Sequence, residues 1–286
     1  MTIFALALIL TAAVFHATWN LINKQASGHA TFTWIVAVLS GFFYAPATIA
    51  VIEIFQIEIT SAAVGVIAGS AVLHSAYFVL LNQGYRAGDL SLVYPLARGT
   101  GPLLACIAAI LFLGERPSLI AVLGALLIIA GVVALSGNLT RLRERADQTA
   151  VRLALLTGLF IAGYTLWDKQ AVSLFGVAPL VLDWGANVGR AILLAPFALK
   201  YADETNAEWR EHKYEAIAIA VLIPLAYILV LTAMTFTPVS YVAPAREISV
   251  LIGTVMGARL LAEADAPRRL AAAGAMVLGI IGLAIG

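Results

Sequence analysis

Charge is what this sequence has least of. Asp, Glu, Lys and Arg make up 12% of 286 residues, against about 25% in a typical soluble chain. So few charged groups cannot clothe a water-facing surface, and with 62% hydrophobic residues the composition is that of an integral membrane protein. A net charge of +1 offers no basic face to phosphates, which argues against nucleic-acid binding. The single cysteine, Cys106, excludes an intrachain disulfide and a thiolate metal cluster. The His-Glu-x-x-His motif of zinc peptidases and the Gly-Lys-Ser/Thr phosphate loop are both missing. A rhomboid-like protease needs its serine and histidine on different helices, whereas Ser70 and His74 share one. No enzyme activity, cofactor or metal is expected.

Apolar runs are what the sequence has in abundance. A bilayer-crossing helix needs about 20 apolar residues. Ten runs qualify: 3–22, 31–52, 62–84, 90–113, 118–136, 150–172, 178–200, 213–236, 239–262 and 267–286. The longest polar stretches, 137–149 and 201–212, are read as loops, and no soluble domain fits between the spans. The first run lacks a basic start and is too long for a signal-peptide core. None alternates in polarity as barrel strands do. The fold class is all-α integral membrane, with ten transmembrane helices.

The halves 1–140 and 148–286 repeat one another. Asn23-Lys24-Gln25-Ala26 answers Asp168-Lys169-Gln170-Ala171, and Trp34 with Ala45-Pro46 answers Trp184 with Ala195-Pro196. Ala76-Tyr77 answers Ala226-Tyr227, Ser91-x-Val93-x-Pro95 answers Ser240-x-Val242-x-Pro244, and Gly124-Ala125 answers Gly274-Ala275. Five spans per half is an odd number, so the second half enters the membrane inverted. Inverted repeats characterise secondary transporters, because the pseudo-two-fold axis relates an outward-open to an inward-open state. A channel is disfavoured by the same symmetry and by charges that form no ring.

Two five-helix repeats, a Tyr/Ala-Pro pair near the start of each fourth span, a following acid (Glu115, then Glu263 or Asp265) and a Gly-rich fifth span resemble the EamA-type drug/metabolite transporters. The layout is similar to that of bacterial aromatic amino-acid exporters. The resemblance implies alternating access around a central cavity and export of small metabolites, amino acids first among them, with other organic metabolites or drugs as the alternative. Ala243 stands where the first repeat has Tyr94, so the two halves need not contact a substrate alike.

Twelve of the 17 Lys and Arg residues fall in loops after odd-numbered spans and two, Arg116 and Lys169, after even ones. The positive-inside rule therefore puts the odd loops in the cytoplasm and both termini in the periplasm of a bacterial inner membrane. Arg141, Arg143 and Arg145 read as topology determinants, and Lys24 and Lys169 as snorkelling span-end residues.

Ionisable groups at bilayer depth face a cavity or a partner. The candidate substrate-binding residues are Trp19 and Asn20 on the first span, His74 and Tyr77 on the third, and Tyr94 and Arg98 on the fourth. Tyr164, Trp167 and Asp168 follow on the sixth, Tyr227 on the eighth, and Arg246 and Glu247 on the ninth. Arg98 offers a carboxylate partner, Glu247 or Asp168 an ammonium partner, and the aromatics flat surfaces. Setting Pro95 on Pro244 aligns Arg98 with Glu247, which suggests that the two alternate between pairing and holding a zwitterion. Arg246 and Glu247 are equally compatible with structural pairing to other helices. Asp183, Asn187 and Arg190 share a stripe that reads as an internal polar ladder, and Trp34 and Trp184 as belt or packing aromatics. Pro95 and Pro244 each free a carbonyl and are candidate hinges. His74 and the acids make a proton the candidate coupling ion. Gly282-x-x-x-Gly286 is a possible dimer face, but packing inside a monomer is favoured.

Overall fold

The computed structural model describes residues 1–23, 30–87, 90–135, 148–253 and 266–286, with only the backbone at 90–92, 94, 95, 135 and 266–270. Lys24, Arg141, Arg143, Arg145, Arg259, Glu263 and Asp265 lie outside the described residues, as do the side chains of Tyr94, Pro95, Arg268 and Arg269.

The described chain forms ten named helices: α1 (Ile3–Asn23), α2 (Ala30–Phe55), α3 (Ser61–Ala87), α4 (Leu90–Phe112), α5 (Leu119–Leu135), α6 (Gln148–Ser173), α7 (Pro179–Lys200), α8 (Ala202–Phe236), α9 (Val239–Ala245) and α10 (Ala266–Ile285). Five of them, α1, α2, α3, α6 and α8, are long and apolar enough to cross a bilayer as they stand. Large side chains such as Phe42, Phe55, Phe112 and Leu199 are exposed on the outside of the bundle. In water they would form an aggregation-prone surface; in a bilayer they are its lipid-facing coat.

The helices are arranged as two inverted five-helix repeats about a pseudo-two-fold axis. Equivalent helices meet each other at the axis, α2 with α7, α4 with α9 and α5 with α10. Two further sets of contacts mirror each other, α3 on α6 with α8 on α1, and α3 on α7 with α8 on α2. The tryptophans make the symmetry chemical. Trp34 Nε1 donates to the Ala191 carbonyl at 2.9 Å and Trp184 Nε1 to the Gly41 carbonyl at 2.8 Å. Each acceptor lies seven residues beyond the other tryptophan, so Trp34 and Trp184 are a reciprocal clasp between α2 and α7.

α5 and α10 pack backbone to backbone. A Cβ on Gly279 would stand 2.5 Å from the Gly124 carbonyl oxygen, and one on Gly124 would stand 2.6 Å from that of Gly279. Gly282 and Gly286 turn to the same helix, against Gly124 and Ala121. Small residues on both sides let the helices approach closely enough for dispersion and Cα–H contacts to hold them without a water-driven hydrophobic effect. The Gly282–Gly286 face is thereby occupied within the chain.

Proline positions separate the repeats. α4 runs unbroken through Pro95 and Pro102. Gly101 admits Ile161 of α6, with a Cβ there 2.7 Å from Ile161 Cγ2. The ninth span does break: α9 ends at Ala245, Arg246 and Glu247 form a turn, and helix resumes at residues 248–253. Bonds from Glu247 N to Pro244 O (3.0 Å) and Ser249 N to Arg246 O (3.2 Å) tighten the crossing. Pro244 frees the Ser240 carbonyl, and the Cys106 thiol donates to it at 3.5 Å. Pro224 in α8 likewise frees the Ala220 carbonyl, which accepts from Ser40 Oγ at 3.0 Å. Freed carbonyls away from water are thus met by neighbouring helices.

Glu115 closes the start of α9. Its two carboxylate oxygens accept from the backbone N–H groups of Val239 (2.7 Å) and Ser240 (2.8 Å), donors that a helix N-terminus leaves unsatisfied. The stretch expected as a loop at 201–212 is helical instead, and joins the eighth span through a kink at His212 (φ −122°, ψ 27°). Asp203 and Glu204 in its first turn favour helix initiation, and Thr31 Oγ1 donates to Glu204 Oε1 at 3.0 Å.

Candidate functional site

The centre of the bundle holds a cavity of about 70 Å³, room for several waters at roughly 10–15 Å³ each. Its wall draws on α1, α3, α4, α6, α7, α8 and the break after α9, and so on both repeats. Among the described residues α5 and α10 contribute nothing to it, in keeping with their role as an outer brace.

One side of the cavity is aromatic. His74 stacks on Tyr164 at 4.1 Å between ring centroids and meets Tyr227 edge-on at 5.2 Å. Tyr77 approaches Tyr164 at 5.6 Å. Behind this cluster lies Asp168, fully buried, with Oδ2 bonded to His74 Nε2 (2.9 Å) and accepting from the Tyr227 hydroxyl (2.6 Å). Three helices, α3, α6 and α8, are therefore tied through one carboxylate oxygen.

The wall is also cationic. Arg98, Arg190 and Arg246 all reach the wall, while Asp183 is the carboxylate among the lining residues. Arg98 Nε lies 3.0 Å from Glu247 Oε2, and both residues are buried. On α7, Asn187 Nδ2 donates to Asp183 Oδ2 (3.0 Å), Arg190 Nη1 donates to Asn187 Oδ1 (3.3 Å), and the Arg190 guanidinium covers the Phe78 ring at 4.7 Å. Arg246 sits on the turn that interrupts the ninth span, its guanidinium 5.4 Å from the centre of the Tyr227 ring.

Of the candidates from the sequence, Trp19, His74, Tyr77, Arg98, Tyr164, Tyr227 and Arg246 line the cavity. Asp168 and Glu247 are not on its surface; each holds a lining residue from behind. Asn20 is also absent from the lining, because its amide is turned back on its own helix, to His16 Nδ1 (2.9 Å) and the His16 carbonyl (2.7 Å). Trp167 faces outward, half-exposed, with Nε1 donating to the Val66 carbonyl at 2.8 Å. Gly69 gives its indole room against α3, and it seals α6 to α3 without entering the cavity. The Tyr94 side chain is outside the described residues.

Sequence reasoning placed no binding residue on α7, yet Asp183, Asn187 and Arg190 are both a hydrogen-bonded ladder and part of the wall. His16, edge-on to Trp19 at 5.0 Å, also lines the cavity, although it was not among the candidate binding residues. Its signal was the three-residue spacing to Trp19 on one helical face.

A polar, two-repeat cavity inside an apolar coat needs a family to give it a class. The EamA-like transporter family matches residues 3–137 and matches again at 148–285. The chain belongs to the EamA-like transporter family. A solved structure titled only as the crystal structure of a protein covers 98% of this chain over 97% of its own, with a TM-score of 0.78 and 15% identity. That likeness establishes the fold of the transporter and nothing of its substrate. No curated protein sequence matches the chain. The family makes this a multi-pass membrane transporter of small molecules, and its ten-span fold with an internal repeat is the architecture described above.

Proposed function

We propose that the transporter moves small carboxylate-bearing metabolites by alternating access, amino acids with aromatic or other apolar side chains being the expected substrates. The observation that carries this reading is the central cavity, where guanidinium groups and a cluster of aromatic rings line one wall. Guanidinium recognises a carboxylate through paired, charge-assisted hydrogen bonds, and the rings offer flat apolar area. The interruption of the ninth span beside the cavity supports a binding role, since discontinuous helices mark substrate sites in inverted-repeat transporters. Export is the direction that resemblance to amino-acid exporters implies. A bacterial inner membrane with both termini in the periplasm is the location the charge distribution supports, and a monomer is the form supported by the filled Gly282–Gly286 face. His74 and Asp168 are the groups through which a proton would be coupled to transport.

Counterflow in proteoliposomes tests the reading. Vesicles loaded with an unlabelled amino acid should accumulate labelled external substrate transiently and saturably, with aromatic and branched apolar amino acids most effective. Absence of exchange with every member of a broad panel of organic solutes would refute it.

A further inference from the structure

The three cavity arginines are not equivalent. Arg98 is engaged: its Nε lies 3.0 Å from the Glu247 carboxylate, and the pair is almost wholly inaccessible. Arg190 is nearly as buried, bonded to Asn187 and laid over Phe78. Arg246 differs from both in exposure and in what it contacts. It is only half-buried, its guanidinium faces the cavity, and among the described residues no carboxylate stands within ion-pair distance of it. Its observed neighbour is the face of Tyr227, whose hydroxyl is already given to Asp168. Glu247, the next residue, is turned to Arg98. Arg246 also sits on a non-helical turn of the ninth span, where α9 has ended and residues 248–253 have yet to begin.

We propose that Arg246 is the anion anchor of the transporter, and that the ligand is recognised as a carboxylate carrying a flat apolar body, with no ammonium group required. This rests on the transport reading above and deepens it. A half-buried guanidinium on a membrane cavity wall, facing no carboxylate among the described residues, is completed by an anion from solution. Its planar fork receives both oxygens of a carboxylate at once, which an ammonium cannot do. The apolar body then lies toward Trp19 and Tyr77. An amine finds a poorer site: the wall holds three guanidiniums against Asp183, and Asn187 already donates to that carboxylate. Amino acids and their deaminated acids belong to one ligand class on this account, while the corresponding amines do not.

Three probes of one shape separate the alternatives: L-phenylalanine, 3-phenylpropanoate and 2-phenylethylamine. Counterflow of each is measured for the wild type, Arg246→Lys and Arg246→Gln, with detergent gel filtration to confirm that each variant is folded. The wild type should exchange both carboxylates and not the amine. Arg246→Lys keeps the charge but loses the fork, so the apparent KM for both acids should rise about tenfold with the maximal rate little changed. Arg246→Gln should abolish exchange of both. Exchange of the amine at the rate of the acids overturns the proposal, as does an unchanged KM in both variants. If neither variant folds, the wild-type comparison of acid with amine decides alone. Exchange of other solutes but none of the three probes removes the proposed ligand class and leaves the transporter reading standing; exchange of no solute at all removes both.

Discussion

Arg98→Gln leaves the buried Glu247 carboxylate without the guanidinium 3.0 Å away, and breaking one partner of a buried pair costs about 3–5 kcal/mol. The thermal midpoint in detergent should fall clearly, and Arg98→Gln with Glu247→Gln should recover most of the loss, since two neutral amides bury no charge. A double variant as unstable as the single one would show that the pair does not act as a unit. The sequence marked Arg98 and Glu247 through the alignment of Pro95 with Pro244, a relation internal to the chain. It did not show that Arg246 stands half-buried on the cavity wall beside Tyr227 while Glu247 turns to Arg98, because that depends on which way two adjacent residues project from a turn. Trp167 illustrates the same limit of periodicity. It neighbours Asp168, but its long side chain swings outward to the Val66 carbonyl, a partner on another helix.

At the scale of elements, the ninth span is held open as a deliberate interruption. Glu115 accepts the first N–H groups of α9 and Cys106 meets the carbonyl of Ser240 that Pro244 frees, so the N-terminal end of the seven-residue helix is fixed from α4 and the turn that follows it. Glu115→Ala removes a helix cap, a change that costs about 0.5–2 kcal/mol. Faster amide exchange at Val239 and Ser240 in detergent should reveal it, and unchanged protection there would deny Glu115 the role. The brace of α5 and α10 is a stricter case. Gly279→Val places a branched side chain where even a Cβ stands 2.5 Å from the Gly124 carbonyl oxygen. The helices must separate, and the yield of folded protein should drop severely, whereas Gly274→Ala, with nothing near its Cβ, should be silent. The long spans and the Gly-rich faces of this brace were legible because they depend on local composition. The break after Pro244 without one at Pro95 was not, because the same residue type is absorbed in a continuous helix on one side and not on the other.

For the whole molecule, the repeat was the most legible feature. Five matched motifs in the same order required a two-fold relation, and the mirrored helix contacts and the reciprocal Trp34–Trp184 clasp express it in three dimensions. The cavity was legible in outline from its aromatic and ionisable residues. The share contributed by α7 was not, since a stripe of Asp183, Asn187 and Arg190 satisfies itself as a ladder equally well facing a cavity or a neighbouring helix. The central claim is that this cavity is reached in turn from the two sides of the membrane. Ala13 lines it with a side chain of one carbon, and Cys106→Ser keeps a donor for the Ser240 carbonyl, so Ala13→Cys in that background is a mild probe. A membrane-impermeant thiol reagent applied to right-side-out and to inverted vesicles should label Ala13→Cys from both sides, with saturating substrate slowing the reaction in each. Labelling from one side only, whatever substrate is present, would contradict the account.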